Sequence, residues 1–307
     1  MKVLVTGVCG QLGHDVVNEL TKRGHEAIGS DITPVYSGAD DGTAVTRAPY
    51  VQLDITDADA VSRVLGETKP DAVVHCAAWT AVDAAEDNED RVRAINAGGT
   101  RHIAKACRAL GAKMMYISTD YVFDGQGETP WAPDCTDYAP LNVYGQTKLE
   151  GELAVRELVE RFFIVRIAWV FGLNGKNFIK TMLRLGQKHE CVRVVRDQIG
   201  TPTYTLDLAR LLVDMIETDR YGYYHATNEG GYISWADFAG EIFRQAGMPT
   251  KVVPVTTSAY GLSKAARPFN SRLDKRKLIE NGFEPLPTWQ DALSRYLREI
   301  GCTADKT

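Results

Sequence analysis

Short apolar runs rich in valine and isoleucine alternate with longer amphipathic segments through the first half of the chain. Apolar runs of this length are typical of buried strands, and helical spacing of apolar positions is typical of the helices that cover them. Alternating strands and helices favour right-handed crossovers and a parallel sheet covered on both faces. The pattern predicts strands at 2–6, 26–30, 51–53, 71–75, 113–118 and 162–167, and helices at 11–23, 91–110 and 144–158.

The alternation weakens after Gly172, where the pattern predicts a second, smaller unit. Residues 177–185 have helical spacing, and residues 206–216 and 223–225 form one more helix–strand pair. Ser234 and Thr288 precede amphipathic segments and are typical helix N-caps. We therefore predict an α/β fold with a doubly wound parallel sheet and a smaller, partly interleaved C-terminal substrate-binding lobe. The sheet domain takes residues 1–172 and 197–228, and the lobe takes residues 173–196 and 229–307.

Charge and cysteine content restrict the possible partners. The net charge of −5 disfavours binding to nucleic acid or to an anionic membrane, because both require a basic face. No apolar run approaches the roughly 20 residues that a membrane helix requires. The cysteines are scattered without a C-x-x-C pair, which is typical of reduced thiols in the cytoplasm, and the dispersed histidines predict no metal site. We expect a cytoplasmic protein.

The glycines of GVCGQLG lie directly between the first predicted strand and the first predicted helix. Gly7 allows a tight turn, Gly10 lets the backbone approach a pyrophosphate, and Gly13 lets helix and strand pack closely. The N-terminus of the helix adds unpaired N–H groups and a partial positive charge. The loop, with Gln11 and Leu12, therefore predicts a Rossmann-type site for NADPH or NADH. The alternative is an ordinary strand–helix turn, in which glycines are also common.

Carboxylates at the ends of the next strands bear on the choice of coenzyme. Asp31 ends the second strand, where a carboxylate accepts hydrogen bonds from the ribose hydroxyls of NAD and repels a 2′-phosphate. The alternative is an aspartate that only forms a turn. Arg47, in the loop that follows, could fold back towards a 2′-phosphate, so NADPH is also a candidate coenzyme. Asp54, at the end of the third strand, is placed to contact adenine. Further candidates for coenzyme contacts follow the third and fourth strands: Ile55, Ala77, Ala78 and Trp79.

Tyr144 and Lys148 are spaced i and i+4, which places both on one face of a predicted helix. A free phenol has a pKa of about 10, and a neighbouring cation lowers that pKa towards neutrality. Thr119 follows a buried strand, so its hydroxyl is expected at the carboxyl edge of the sheet, beside a substrate carbonyl. The alternatives are a surface Tyr–Lys contact and a hydroxyl that caps a strand end. Asn96 either holds a relay water or packs one helix against its neighbours.

Six segments in register give the chain a resemblance to the extended short-chain dehydrogenases, and within them to the dTDP-4-dehydrorhamnose reductase family. The resemblance runs nearly from end to end. Two departures from the family pattern are the loop from Ile32 to Tyr50, which is longer than in many relatives, and Ala168, where a serine is common. The segments are AAWTAVDAAE (77–86), STDYVFDG (118–125), PLNVYGQTKLEGE (140–152), RIAWVFG (166–172), DQIGTPT (197–203) and RPFNSRL (267–273).

The resemblance implies a reaction and a role for each matching residue. The implied reaction is hydride transfer from NAD(P)H to C4 of dTDP-4-dehydro-L-rhamnose, which gives dTDP-L-rhamnose, and we expect a homodimer. Thr119, Tyr144 and Lys148 match the catalytic triad, and Asn177 and Gly200 match the wall between the lobes. The positions near the sugar are Thr80, Val82, Asp120 and Trp169, and those in the substrate segment of the far lobe are Arg267, Asn270 and Arg272.

Two other functions fit the same fold. A nucleotide-sugar epimerase or 4,6-dehydratase is the first, but dehydratases carry a glutamate where this chain has Tyr121. The second is a non-catalytic, NADP-binding regulatory subunit like that of methionine adenosyltransferase, which shares the Tyr–Lys pair. The intact segment 267–273 favours the enzyme over the regulatory subunit.

Overall fold

The structure is a computed structural model that describes residues 1–39 and 42–303. Its first 167 residues alternate strands and helices, as the sequence pattern predicts. The elements of this half are β1 (Lys2–Thr6), α1 (Gln11–Lys22), β2 (Glu26–Asp31), β3 (Tyr50–Gln52), α2 (Ala58–Thr68), β4 (Ala72–His75), α3 (Val82–Ala85), α4 (Glu89–Arg93), α5 (Thr100–Leu110), β5 (Lys113–Thr119), α6 (Val143–Leu158) and β6 (Phe162–Ile167).

Three helical elements of this half differ from the sequence prediction. Helices α2 and α3 were not predicted, although Asp57 caps α2 by accepting from the N–H groups of Asp59 and Ala60. The helix predicted at 91–110 is divided, because a π-helical stretch at Ala94–Gly99 separates α4 from α5. At this stretch a side chain on Gly99 would come within 2.7 Å of Ile55, so the tight packing depends on glycine.

The second half has shorter elements and small sheets. Three two-stranded sheets form outside the main one: β7 with β10, β9 with β12, and β8 with β13. The elements are β7 (Val170–Phe171), α7 (Phe178–Gly186), β8 (Cys191–Val195), β9 (Ile199–Gly200), β10 (Thr203–Tyr204), α8 (Thr205–Ile216), β11 (Gly222–His225), β12 (Ile233–Ser234), α9 (Trp235–Gln245), β13 (Lys251–Val255), α10 (Thr257–Tyr260), α11 (Arg276–Glu280) and α12 (Trp289–Glu299).

The central sheet has seven parallel strands in the order β11-β6-β5-β4-β1-β2-β3. The order reverses between β1 and β4, because the chain moves outward in one direction from β1 to β3 and in the other from β4 to β11. Open α/β sheets bind ligands at the carboxyl ends of the strands beside such a reversal. The doubly wound fold is confirmed, and it places the glycine loop at this point.

Four apolar clusters fill the interior of the described residues, and the smallest groups Val122, Phe123, Ala168 and Leu273. One packs α1 and α8 on one face of the sheet, and another packs α2 and α5 on the opposite face. The third joins α7, α9 and α12. It also includes Phe171 of β7 and Tyr204 of β10, two short strands that the predicted boundaries assign to the sheet domain. This third cluster supports the two-lobe division at the boundaries given above, which we propose. The last residues of the predicted lobe, 304–307, lie outside the described residues.

A buried ion pair fixes α6 against β6. The Arg166 guanidinium donates to both carboxylate oxygens of Glu152 at 2.8 and 2.7 Å, and both side chains are fully buried. Arg166 also donates to the Pro133 carbonyl and the Tyr138 hydroxyl, and it lies 4.9 Å from the Phe123 ring centre. Since buried charges require such complete pairing, the pair fixes the orientation of α6, the helix that carries Tyr144 and Lys148.

Replacing Glu152 with glutamine leaves the Arg166 charge buried without a counter-ion. We expect Glu152→Gln to lower the free energy of unfolding by about 3–5 kcal/mol, which is typical when one partner of a buried pair is removed. Urea denaturation measures the change. Glu67→Gln is the control, because it removes an ion pair with Arg63 whose side chains are 58% and 65% exposed. Equal urea midpoints for the two variants would contradict the role given to the buried pair.

Candidate active site

A cavity of about 780 Å³ opens at the carboxyl edge of the sheet, beside the reversal of strand order. It is lined by Thr119, Tyr144 and Lys148, the three predicted catalytic residues. Every predicted coenzyme residue except Asn96 also lines it. These are Gly7, Gly10, Gln11, Leu12, Gly13, Asp31, Asp54, Ile55, Ala77, Ala78 and Trp79. The predicted sugar contacts that line it are Thr80, Val82, Asp120 and Trp169.

The glycine loop has the geometry of a cradle for a dinucleotide. Gly7 has φ +74°, and a side chain there would lie 2.7 Å from the backbone nitrogen of Ala77. A side chain on Gly13 would lie 2.4 Å from the Gly7 carbonyl oxygen. Gly10 caps α1 without a side-chain acceptor, so the N–H groups of the first turn remain available to an anion. The loop therefore fits the pyrophosphate of a dinucleotide coenzyme.

Asp31 faces the cavity and also supports the glycine loop. Its Oδ2 accepts from the Cys9 N–H at 2.9 Å, and its Oδ1 accepts from the Ile32 N–H at 2.8 Å. The loop that follows closes on the glycine loop, since the Ala39 N–H donates to Asn174, which in turn donates to the Cys9 carbonyl. Arg47 donates to Gly42 within its own loop and does not line the cavity. The cavity therefore presents a fixed carboxylate at the expected ribose position.

Asn96 lies behind the cavity wall. Its Oδ1 accepts from the Trp79 N–H at 2.8 Å, and its Nδ2 donates to the Trp79 carbonyl and to the Thr147 hydroxyl. Both amide hydrogens and the amide oxygen are therefore occupied by protein groups. The alternative of a packing amide fits this geometry, and we propose that Asn96 fixes the wall segment at Trp79 against α6 instead of touching the coenzyme.

Tyr144 is half-buried in the first turn of α6, where Asn142 caps the helix by accepting from the Gly145 N–H at 2.8 Å. Burial raises the pKa of the Tyr144 phenol, and a hydrogen bond with the Thr119 hydroxyl lowers it to a smaller degree. The expected lowering by Lys148 is not what the structure gives, because desolvation disfavours the phenolate more strongly. A phenol with a raised pKa keeps its proton at neutral pH, which is the form that a proton donor requires.

Lys148 is buried one turn after Tyr144 on α6. Its Nζ donates to the Ile117 carbonyl at 2.7 Å and lies 4.1 Å from the centre of the Tyr116 ring. Burial lowers the pKa of the ammonium to about 7, and the nearby Glu152 carboxylate opposes that shift. The Lys148 ammonium therefore points towards the Ile117 carbonyl near the end of β5. An acceptor on a bound coenzyme would share the hydrogens of this ammonium with that carbonyl.

Asp120 is buried beside Thr119, which donates to its Oδ1 at 3.1 Å. Its Oδ2 has no hydrogen-bond partner among the described residues. Burial raises the pKa of this carboxyl to about 6, against hydrogen bonds from Ser271 and Thr119 that favour the ionised form. Because buried polar atoms are nearly always paired, a ligand hydroxyl that donates to this oxygen would satisfy it.

Three predicted substrate residues are not brought to the cavity. Arg267 donates to the Asp83 carboxylate at 2.6 Å and to the Tyr121 hydroxyl at 3.2 Å. The buried amide of Asn270 donates to two backbone carbonyls of the 126–129 loop and accepts from the Arg272 guanidinium. The assignment of these three residues to the substrate segment stays a prediction, and in this structure their side chains hold the loops around the cavity.

Sequence reasoning missed one large residue of the wall. Trp235, the first residue of α9, lines the cavity and stacks on Trp169 with the ring centres 3.7 Å apart. The sequence signal for this region was the N-cap at Ser234, which predicts where α9 begins. It does not predict that the first residue of the helix lies against the cavity. Asn177 and Gly200 do lie at the junction of the lobes: Asn177 donates to Gln11 at 3.0 Å, and Gly200 lies against Trp169.

Every helix in residues 1–39 and 42–303 is too short or too polar to cross a membrane. Within the same ranges, no three side chains from histidine, cysteine, aspartate and glutamate are grouped to hold a metal ion.

Known proteins resemble this chain both in sequence and in structure. A family model described as the RmlD substrate binding domain matches residues 1–302. The dTDP-4-dehydrorhamnose reductase of Streptomyces griseus is 42% identical over 298 residues, which are 95% of this chain and 91% of that protein.

Two crystal structures resemble this one over nearly the whole chain. A dTDP-4-dehydrorhamnose reductase from Clostridium acetobutylicum is 40% identical with a TM-score of 0.89, and the match covers 98% of this chain and 100% of that one. The dTDP-4-dehydrorhamnose reductase of Bacillus anthracis, solved in complex with NADP, is 40% identical with a TM-score of 0.87 and coverages of 97% and 100%. The likeness therefore includes both the glycine loop and the far lobe.

The position of Asp31 leads to a prediction about coenzyme preference. Asp31→Asn keeps an acceptor oxygen for the Cys9 N–H but removes the charge that repels a 2′-phosphate. We expect the ratio of the Kd for NADPH to the Kd for NADH to fall about tenfold, which corresponds to about 1.4 kcal/mol. Fluorescence titration with each coenzyme measures this ratio. Asp54→Asn is the control, and an unchanged ratio in Asp31→Asn would show that Asp31 only supports the loop.

The burial of Lys148 leads to a prediction about stability. The unfolded amine holds its proton up to about pH 10.5 and the folded amine only to about pH 7, so stability attributable to Lys148 rises with pH across this window. We expect Lys148→Met to be more stable than the parent at pH 7 by on the order of 2 kcal/mol, after allowing for the unpaired Ile117 carbonyl. That advantage shrinks towards pH 10.

Urea denaturation at pH 7 and pH 9.5 checks this prediction. The matched control is Lys105→Met, which replaces an exposed lysine on α5. An advantage of Lys148→Met that did not change with pH would mean that the buried charge is not its origin.

Proposed function

The chain belongs to the RmlD substrate binding domain family, and we propose that it reduces the C4 keto group of dTDP-4-dehydro-L-rhamnose to give dTDP-L-rhamnose. It is an oxidoreductase whose coenzyme is NADPH or NADH. When bound in the cavity, the coenzyme supplies the hydride. The observation that carries the proposal is the meeting of Thr119, Tyr144 and Lys148 in the same cavity as the glycine loop.

Tyr144 acts as the proton donor. Reduction of a ketone places negative charge on its oxygen, and a phenol held protonated by burial can neutralise that charge as it develops. The Thr119 hydroxyl turns from Asp120 to donate to the same oxygen, which orients the carbonyl and stabilises the charge. These two residues emerge from β5 and α6, so the packing of that helix on the sheet fixes their separation.

The remaining polar groups of the cavity bind and orient the two ligands. The glycine loop and the N-terminus of α1 hold the pyrophosphate, and Asp31 accepts from the adenosine ribose. Lys148 donates to the nicotinamide ribose while it keeps the Ile117 carbonyl. At the sugar, the orphaned Oδ2 of Asp120 accepts from a hydroxyl, and Thr80, Val82 and Trp169 form the adjoining wall.

The two other functions receive less support from the geometry. For a dehydratase, the position after Asp120 should present a carboxylate, whereas Tyr121 contributes a phenol that accepts from Arg267. A non-catalytic regulatory subunit shares the Tyr–Lys pair, and the 42% identity to the Streptomyces griseus reductase over 95% of this chain favours the enzyme over that alternative. Reduction of the keto sugar is therefore the function that explains most of the cavity.

Location and assembly remain proposals. All six cysteines are free thiols, which supports a cytoplasmic location. We propose a homodimer as the assembly and a dTDP-sugar as the partner molecule, with no nucleic acid partner because the chain has a net charge of −5.

The function predicts a specific loss in Tyr144→Phe. Purified protein should oxidise NADPH or NADH in the presence of dTDP-4-dehydro-L-rhamnose, followed by the loss of coenzyme absorbance. Phenylalanine keeps the ring and removes the proton donor, so kcat should fall by about 10²–10⁴-fold while the coenzyme Kd is unchanged. Tyr223→Phe, whose hydroxyl has no partner in the described residues and lies outside the cavity, should keep the parent rate. A variant with more than half the parent kcat would end the assignment of Tyr144.

A further inference from the structure

Trp169 has a backbone conformation that a tryptophan rarely adopts. Its φ is +53°, in the left-handed region that disfavours residues with a Cβ. It lies between β6 and β7, where the Thr203 N–H donates to its carbonyl at 3.1 Å. Such strain persists only where the surroundings determine the conformation, and it is concentrated at functional sites.

Two neighbours hold the Trp169 indole. The Trp235 ring stacks on it with 3.7 Å between the ring centres and the planes 15° apart. Gly200 lies against the indole, where a Cβ would be 2.9 Å from Cε2 of Trp169 and 3.0 Å from the Ser271 side chain. Any side chain at position 200 would therefore push the Trp169 ring.

Trp235 is itself fixed by the second lobe. The N-terminus of α9 has a capping box in which Ser234 and Asp237 exchange hydrogen bonds, and Trp235 is the first residue of the helix. Its ring also packs on Phe178 of α7, with the centres 4.6 Å apart. The Trp169–Trp235 stack thus joins the segment between β6 and β7, in the sheet domain, to the core of the far lobe.

The stacked pair lies at the sugar end of the cavity. Thr119 and Ile167 are register partners on the neighbouring strands β5 and β6, and Trp169 follows Ile167 by two residues. Both indoles line the cavity. A flat apolar surface beside the reacting carbonyl suits the C–H face of a hexose, whereas the pyrophosphate loop lies two strands away across β4.

We propose that Trp235 is a positioning residue, which together with Gly200 clamps Trp169 as a rigid wall for the hexose of the nucleotide sugar. Trp235 acts through Trp169 and not on the reacting atoms. The proposal rests on the proposed function for the identity of the sugar, since the wall itself requires only a hexose ring. A residue that merely stabilised the lobe would affect all ligands alike.

The test measures binding of dTDP-L-rhamnose and of dTDP by calorimetry, in the presence of saturating coenzyme. Trp235→Ala frees one face of Trp169 and should weaken dTDP-L-rhamnose roughly tenfold while leaving dTDP within twofold. Gly200→Ala pushes the Trp169 ring and should produce the same pattern. Trp235→Phe keeps a stacked ring and should restore most of the affinity.

A spectroscopic signature accompanies the binding data. Two indoles stacked this closely give an exciton couplet in circular dichroism, which Trp235→Ala and Trp235→Phe should abolish. The matched control is Trp289→Phe, which removes a buried indole of the same lobe outside the cavity and should keep both the couplet and the affinity. Retention of the couplet in Trp235→Ala would overturn the clamp.

The outcomes separate this proposal from the function. If Trp235→Ala bound dTDP-L-rhamnose as tightly as the parent, or lost dTDP and the rhamnosyl nucleotide equally, Trp235 would not position the sugar. If the parent bound dTDP-L-rhamnose without reducing the keto sugar, the function would fail while the clamp was still tested. If the parent did not bind dTDP-L-rhamnose, both would fail.

Discussion

The buried contact between the Glu152 carboxylate and the Arg166 guanidinium is the constraint on which the site depends. It joins α6 to β6, and both side chains are fully buried. Because Tyr144, Lys148 and Glu152 follow one another at intervals of four residues, they lie along one face of α6. An ion pair that fixes the third residue of this row against the sheet also fixes the direction in which the first two point. The catalytic geometry is therefore a consequence of how the Glu152–Arg166 pair packs α6 against β6.

Burial then sets the protonation state of the site. The same desolvation raises the pKa of Tyr144, raises the pKa of Asp120 to about 6 and lowers the pKa of Lys148 to about 7. Each shift disfavours the charged form of its group. The direction suits a reductase, because the phenol must hold a proton until negative charge forms on the substrate oxygen. Sequence reasoning assigned the opposite direction to Tyr144, since the spacing shows the cation but not the depth of burial.

Much of the fold followed from local pattern, and the misses have physical reasons. The strands at 2–6 and 162–167 were predicted with their observed bounds because they are continuous apolar runs buried in a parallel sheet. Helix α2 was missed although its cap was readable. The role of Trp235 and the pairing of Arg267 with Asp83 were not available from sequence, because both depend on contacts between distant parts of the chain. Local spacing carries no information about such partners.

The central claim is that the chain delivers hydride from its coenzyme to C4 of the keto sugar while its own residues supply the proton. The most direct measurement is proton NMR of the product formed from dTDP-4-dehydro-L-rhamnose with coenzyme deuterated at the transferred position. The account predicts dTDP-L-rhamnose with deuterium at C4 and at no other carbon. Recovery of unreduced keto sugar, or dTDP-L-rhamnose that carries no deuterium at C4, would contradict it.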